Sequence, residues 1–254
     1  MNILYSLRTA LVVGFATGYL VLVAPLFILH AIITKSPDLL FRVALVGVRA
    51  SMRLAGIRLR VEGVDNIPAG VCVFVANHAS NVDPPVIVSA IPRRVAVLTK
   101  KQVFRIPIFA TALRVADFIP VDRAVPEAAA AAVDQAVARM HAGVSYLVFP
   151  EGSRSIDGRL RAFKKGSFVM AIEAGAAVVP VSIAGSQRTM KKGEHFMRPG
   201  EIVVRFGPAV NASEYSMERR AELLARVRSS VAAGLPEDQQ PVDPSPNPPD
   251  NGTR

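Results

Sequence analysis

In the stretch VANHASNVDPP, Val75 to Pro85, two side chains can move a proton: His78 and Asp83, five positions apart. An imidazole hydrogen-bonded to a fixed carboxylate has a defined tautomer and is a better base than a free one. The plainer reading is a turn in which Asp83 caps a helix beginning at Pro84. Both readings can hold together, because a capping position also fixes a carboxylate in space. A second group lies in FPEGSR, Phe149 to Arg154. Pro150 and Gly152 shape a turn there. Arg154 offers a planar fork that can hold phosphate oxygens in pairs. Glu151 either accepts a hydrogen bond from a substrate hydroxyl or holds a basic neighbour. The third stretch, FIPVDR, sets Asp122 beside Arg123, which also reads as a surface ion pair or a helix cap. The fourth, VVPVSI, has Pro180 in an otherwise apolar strand. Proline there implies an edge, a strand start or a bulge, and a part in shaping a pocket wall.

Charge narrows the partners. The formal net charge is +10, which suits nucleic acid, an anionic membrane or a phosphorylated substrate. Basic pairs recur at Lys100–Lys101, Lys164–Lys165 and Lys191–Lys192. Single-stranded nucleic acid needs aromatic platforms among such charges, but aromatics are only 6% and form no such pattern. Lipid phosphates or a phosphorylated cofactor explain the basicity better. The four histidines, His30, His78, His141 and His195, are far apart in sequence, and no metal-ligand cluster stands out. A single cysteine, Cys72, excludes an intrachain disulfide and agrees with a reducing compartment.

These groups need strands and turns to bring them together. From Ile57 onward, short β-rich runs alternate with helical stretches: IRLRVEG, VCVFVAN, VAVLTK, DFIPVD, SYLVFPEG, AVVPVSI and IVVRFG, with helices at Pro107–Val115, Pro126–His141 and Lys165–Ala174. That pattern predicts an α/β domain, residues 58–234, built on a mixed, largely parallel sheet flanked by helices. The sheet is expected to be mixed because no helix separates the first two strands. Ser213 is expected to cap a last helix over Met217–Ala233. His78 and FPEGSR each follow a strand, and ligands of open α/β sheets gather beyond strand C-termini.

Residues 1–57 have another character. Thr9 to Ile33 holds no Asp, Glu, Lys or Arg, and as a helix those 25 residues extend about 37 Å, enough to cross the hydrocarbon core of a bilayer. The run is long for a signal peptide, and no convincing cleavage site precedes Lys35. An uncleaved anchor is the preferred reading, either spanning or, given Pro25, Gly14 and Gly18, re-entrant. Asp38–Ile57 reads as a second, amphipathic helix with Arg42, Arg49 and Arg53 on one face, suited to anionic headgroups. A solvated face on an ordinary packed helix is the alternative. At the other end, residues 235–254 carry six prolines and four acids with almost nothing apolar, and are expected to be a disordered tail.

Taken in order, the four stretches resemble the glycerolipid acyltransferase family that includes 1-acyl-sn-glycerol-3-phosphate acyltransferases. NHASNVD matches its N-H-x4-D motif, and FIPVDR, FPEGSR and VVPVSI resemble its second, third and fourth. The resemblance covers Arg58 to Gly207. Ser153 stands where threonine is common, and Asp117 where glycine is often found. The N-terminal helical pair is similar to an anchoring element of some members.

The resemblance implies transfer of an acyl chain from a thioester to the sn-2 hydroxyl of 1-acylglycerol-3-phosphate, giving phosphatidic acid. On it, His78 is the general base, Asp83 orients it, and no acyl-enzyme is needed. Arg123, Glu151, Gly152 and Arg154 match positions assigned to acceptor binding, with Lys100 a further candidate for the acceptor phosphate. The donor would be acyl-CoA or acyl-carrier protein, with no cofactor and no metal. The expected partners are lysophosphatidic acid and an anionic bilayer, and the expected location is the cytoplasmic face of the inner membrane. Alternatives are another lysophospholipid or aminolipid acceptor, a thioesterase, or a membrane-binding protein that has kept the fold without turnover.

Overall fold

Asn2–Thr34 forms one helix, α1, in a computed structural model that describes residues 2–122 and 124–242. Pro25 lies inside it without ending it. The helix is long and apolar enough to cross a membrane by length and composition, with a mean hydropathy of 2.3. Only 17% of that apolar window is buried. Leu22, Leu26 and Ile33 point outward, which suits lipid rather than water.

A second helix, α2 (Asp38–Leu54), folds back along α1. Gly47 permits the close approach, since a Cβ there would lie 2.6 Å from the Tyr19 ring. The Tyr19 hydroxyl donates to the Val43 carbonyl across the same contact, 2.9 Å. Arg42, Arg49 and Arg53 are exposed, as their spacing predicts. Arg49 also reaches the Ser89 carbonyl at 3.2 Å. The pair is not a separable anchor, however. Phe41, Met52 and Ala55 share one apolar core with Ile57, Phe74 and Val86. The expected boundary at residue 57 therefore crosses a continuous core.

The strands are β1 (Ile57–Glu62), β2 (Cys72–Ala76), β3 (Val95–Lys100), β4 (Ile119–Val121), β5 (Ser145–Val148), β6 (Ala177–Ala184), β7 (Gly200–Phe206) and β8 (Val210–Asn211). Their order is β1-β7-β6-β2-β5-β3-β4, with β8 beside β6. From β6 to β4 every pairing on that path is parallel. The sheet is mixed, but not through its first two strands. β1 pairs with β7 in parallel, and β7 and β8 run antiparallel to β6.

Side chains alternate across the sheet. Cys72, Phe74 and Ala76 of β2 enter one core, while Val73 and Val75 enter the other. The first face is covered by α2 and α3 (Asp83–Ala90), with α4 (Pro107–Val115) packed against α1. The second is covered by α5 (Pro126–His141), α6 (Gly166–Glu173) and α8 (Arg220–Ala233). A short helix, α7 (Ser186–Thr189), follows β6.

Three local expectations are corrected. Pro180 lies in β6, an interior strand, and not at an edge. Its carbonyl accepts from Gly207 N–H at 2.8 Å, so its nitrogen faces the gap where the neighbour of β6 changes from β8 to β7, and no ladder donor is missed. Ser213 does not cap the last helix. It lies in a 3-10 turn, Ala212–Glu214, capped by Asn211, and α8 starts at Arg220. The tail begins later than its composition implies. Leu235 is in the core, and Gln239 is buried with its Oε1 accepting from Gly185 N–H at 3.2 Å. Hydrogen bonds to distant parts of the chain, at Gly158, Leu160 and Gly185, hold this polar segment where hydrophobic burial alone would not. The remaining tail, from residue 243, lies outside the described residues.

Candidate active site

Parallel strands deliver their C-termini to one edge of the sheet. Val75 of β2 is level with Val148 of β5, so the turns after these two neighbours meet. One carries Asn77, His78 and Ser80, and the other Phe149 to Ser155. Asn77 braces the first turn, donating to the Ile183 carbonyl (3.0 Å) and accepting from Ile183 N–H (2.8 Å).

Asp83 is fully buried, and its Oδ2 collects three donors: Ala79 N–H and Ser80 N–H at 2.7 Å each, and His78 Nδ1 at 2.8 Å. It is the first residue of α3 and not its cap; Val82 takes that position without a side-chain bond. The carboxylate instead reaches back to close the 78–83 loop. An acceptor already holding two amide N–H groups has no proton to give, so Nδ1 carries one. That leaves the Nε2 lone pair of His78 as the free basic position. The ring is stacked on Phe149, centroids 4.3 Å apart, and its side chain keeps 15% exposure. It is fixed on two sides and open to a substrate.

The second turn supports the first. Glu151 Oε1 accepts from the His78 backbone N–H at 3.0 Å, and the His78 carbonyl accepts from Ser155 N–H at 2.7 Å. Glu151 is only 4% exposed, and its Oε2 has no hydrogen-bond partner among the described residues. Its place is beneath the histidine rather than toward solvent, which changes the acceptor-contact reading of this residue. Burial pushes its pKa up to about 8, against the opposing pull of the His78 amide and the Arg161 charge.

This shift has a stability consequence. The unfolded chain releases the proton near 4.5, while the folded one holds it to about 8. The group's contribution is therefore full below pH 4.5 and is lost as pH rises toward 8, by about 1.4 kcal/mol per pH unit. Glu151→Gln keeps the acceptor for His78 and removes the titration. Melting profiles between pH 5 and 8 should be flatter for the variant. Parallel profiles for the two proteins would contradict the assignment.

Gly152 has φ +76, and its missing side chain leaves room for the Lys164 stem, 3.0 Å from where a Cβ would stand. Ser153 Oγ accepts from Arg161 at 2.6 Å. The Arg154 guanidinium has no hydrogen-bond or ion-pair partner among the described residues, so its fork is open to a ligand. Lys100 ends β3, two strands from β2, and is exposed. It lies on the same edge but about 10 Å along the sheet. Arg123 lies outside the described residues. Its neighbour Asp122 pairs with Lys101, which holds the Asp122 carboxyl below its usual range. Asp117 adopts φ +65, a conformation glycine serves freely; here Arg94 (2.8 Å) and Arg139 (3.5 Å) hold its carboxylate.

Sequence reading missed Asn77 as a brace, Phe149 as the floor under the ring, and Ser155. The first two stand inside the quoted motifs, but their partners are strands away. Nothing local marks Ser155.

A family model described as Acyltransferase matches residues 58–184. A 1-acyl-sn-glycerol-3-phosphate acyltransferase of Borreliella burgdorferi is 30% identical over 74% of this chain and 76% of its own length. One of Pseudomonas aeruginosa is 31% identical over 72% and 71%. One of Limnanthes douglasii is 28% identical over 74% of this chain, which spans 66% of that plant protein. The crystal structure of the 1-acyl-sn-glycerophosphate (LPA) acyltransferase from Thermotoga maritima superposes with a TM-score of 0.79 at 27% identity, covering 92% of this chain and 95% of that one.

Proposed function

This chain belongs to the acyltransferase family whose members include 1-acyl-sn-glycerol-3-phosphate acyltransferases, and we propose that it moves a fatty acyl chain from a thioester to the sn-2 hydroxyl of 1-acylglycerol-3-phosphate. The observation that carries the chemistry is the His78 Nδ1–Asp83 contact of 2.8 Å, with Nε2 left basic. Nε2 takes the hydroxyl proton as the oxygen attacks the thioester carbonyl. The tetrahedral intermediate collapses with cleavage of the C–S bond, and the proton passes from the imidazolium to the departing thiolate. The products are phosphatidic acid and a free thiol, from acyl-CoA or acyl-carrier protein.

The acyl chain has a place to lie. An apolar cavity of about 480 Å³ opens between α1, α2, α3 and α4. Val82, Pro85 and Val86 form one wall, on either side of Asp83. A lipid tail seated there ends beside the histidine loop. Two of its walls are the membrane-facing helix pair, so an acceptor can enter from the lipid phase. We place that phase at the cytoplasmic leaflet, where both thioester carriers are found and where anionic lipids attract Arg42, Arg49 and Arg53.

Arg154 grips the acceptor phosphate, with Lys100 and Arg123 adding positive charge. Arg154→Lys keeps the charge and loses the fork. A charge-assisted hydrogen bond is worth about 1.5–3 kcal/mol, so acceptor KM is expected to rise roughly 10- to 150-fold with little change in donor KM. If both KM values rise alike and the melting temperature falls, Arg154 staples the turn instead.

The headgroup assignment is tested with purified protein and a panel of lysophosphatidic acid, lysophosphatidylcholine, lysophosphatidylethanolamine and an aminolipid. Lysophosphatidic acid should have the highest kcat/KM. Faster turnover of a zwitterionic or amino acceptor would move the assignment to that lipid.

A further inference from the structure

We propose that Lys192 is a positioning residue for the acceptor-binding arginine, and that Thr9 of α1 anchors the segment that carries it. The proposal rests on the reading of Arg154 as the ligand of the acceptor phosphate.

The peptide unit after Arg154 is held at both ends. Its N–H, from Ser155, donates to the His78 carbonyl at 2.7 Å, and its C=O, from Arg154, accepts from Lys192 Nζ at 3.0 Å. One end is thus tied to the histidine loop and the other to a lysine 38 positions further on. An ammonium on a carbonyl makes a charge-assisted bond, stronger than one between neutral groups. A phosphate fork needs its backbone fixed closely, because a small displacement loses the paired geometry.

Lys192 itself lies in a stretch without helix or strand, between Met190 and Pro199. Contacts at both ends replace regular structure. At one end, Ser80 Oγ donates to the Met190 carbonyl at 2.7 Å, beside the amide that Ser80 gives to Asp83. At the other, Met197 N–H donates to Thr9 Oγ1 at 2.8 Å, and the Arg198 guanidinium lies over the Tyr5 ring at 5.9 Å. Thr9 Oγ1 spends its own proton on the Tyr5 carbonyl, 2.8 Å away, so its lone pair is directed to this segment. The lipid-facing helix, the histidine loop and the arginine loop therefore share one connector. How α1 is seated sets where Arg154 stands.

The test is kinetic, on full-length protein in detergent micelles, with lysophosphatidic acid and acyl-CoA varied in turn. Lys192→Met removes the donor and should raise acceptor KM about tenfold; Thr9→Val removes the acceptor for Met197 N–H and should raise it about threefold. Donor KM should stay near the wild-type value in both. Lys192→Arg and Thr9→Ser keep the bonding groups and should restore acceptor KM. In an Arg154→Lys background, Lys192→Met should add much less than tenfold, since the fork it positions is gone. Wild-type acceptor KM in both single variants would overturn the proposal. So would an equal rise in both KM values, or full additivity with Arg154→Lys. Those outcomes leave the acyltransferase reading intact. The lysophosphatidic acid acyltransferase reading fails separately, if wild-type protein transfers nothing to that acceptor. Unchanged acceptor KM in Arg154→Lys would remove the assignment of Arg154 to the acceptor phosphate, and this proposal with it, but not acyl transfer.

Discussion

Replacing His78 by alanine is expected to lower acyl transfer roughly 10²–10⁴-fold, the range associated with losing a general base. The fold should survive, because the hydrogen bonds that tie residue 78 to its surroundings are main-chain bonds apart from the one to Asp83. Its N–H to Glu151 and its carbonyl from Ser155 are kept by alanine. What is lost is the ring over Phe149 and the Nε2 base. Asp83 keeps two of its three donors, the amides of Ala79 and Ser80. Vesicle association should be unchanged, since α1 is untouched. A folded variant turning over at the wild-type rate would remove His78 from the mechanism.

Asp83→Asn gives the second large effect, with a different signature. The asparagine must place its oxygen where Oδ2 now stands, because the reverse orientation sets an NH₂ against two amide donors. The three bonds can then persist, and the tautomer of His78 with them. Two things change. The negative charge that stabilises the imidazolium in the transition state is gone, and the NH₂ falls where Oδ1 now stands, buried and without a hydrogen-bond partner among the described residues. The first should cost roughly 10²-fold or more in kcat, within the roughly 10⁴-fold known for a triad carboxylate. The second should cost about 1–3 kcal/mol of stability. Activity and melting temperature should fall together, unlike in His78→Ala, where activity falls and stability holds. An Asp83→Asn protein within about threefold of wild-type kcat would show that the carboxylate is structural only.

Elements defined by local pattern were legible in the sequence. Pro107 and Pro126 begin helices with proline in the first turn, and both end where their apolar spacing ends, at Val115 and His141. The placement of His78 and FPEGSR at strand C-termini followed from apolar runs bounded by turn residues. Long-range partners were not legible. Nothing in IRLRVEG specifies that β1 lies against β7, far along the chain, because apolar alternation marks a strand but not its neighbour. Glu151 shows the same limit within the site. The motif put it after a strand, as His78 is, but its closeness to His78 and its burial depend on how two turns pack, and only that decides between a ligand for substrate and a support for the base. The order of the 235–242 segment was hidden for a related reason. Composition reports the apolar surface a segment can bury, not the hydrogen bonds waiting for it at Gly158 and Gly185.

The acyl-transfer assignment is tested most directly by a balance of thiol and lipid. Purified wild-type protein is given acyl-CoA with and without lysophosphatidic acid, and free thiol, phosphatidic acid and free fatty acid are counted in the same reaction by absorbance and mass spectrometry. Transfer to the lipid hydroxyl requires thiol and phosphatidic acid to rise one for one, with almost no thiol when the acceptor is omitted. Thiol release that proceeds equally without acceptor and yields free fatty acid would contradict it, leaving His78 to activate water instead of lipid.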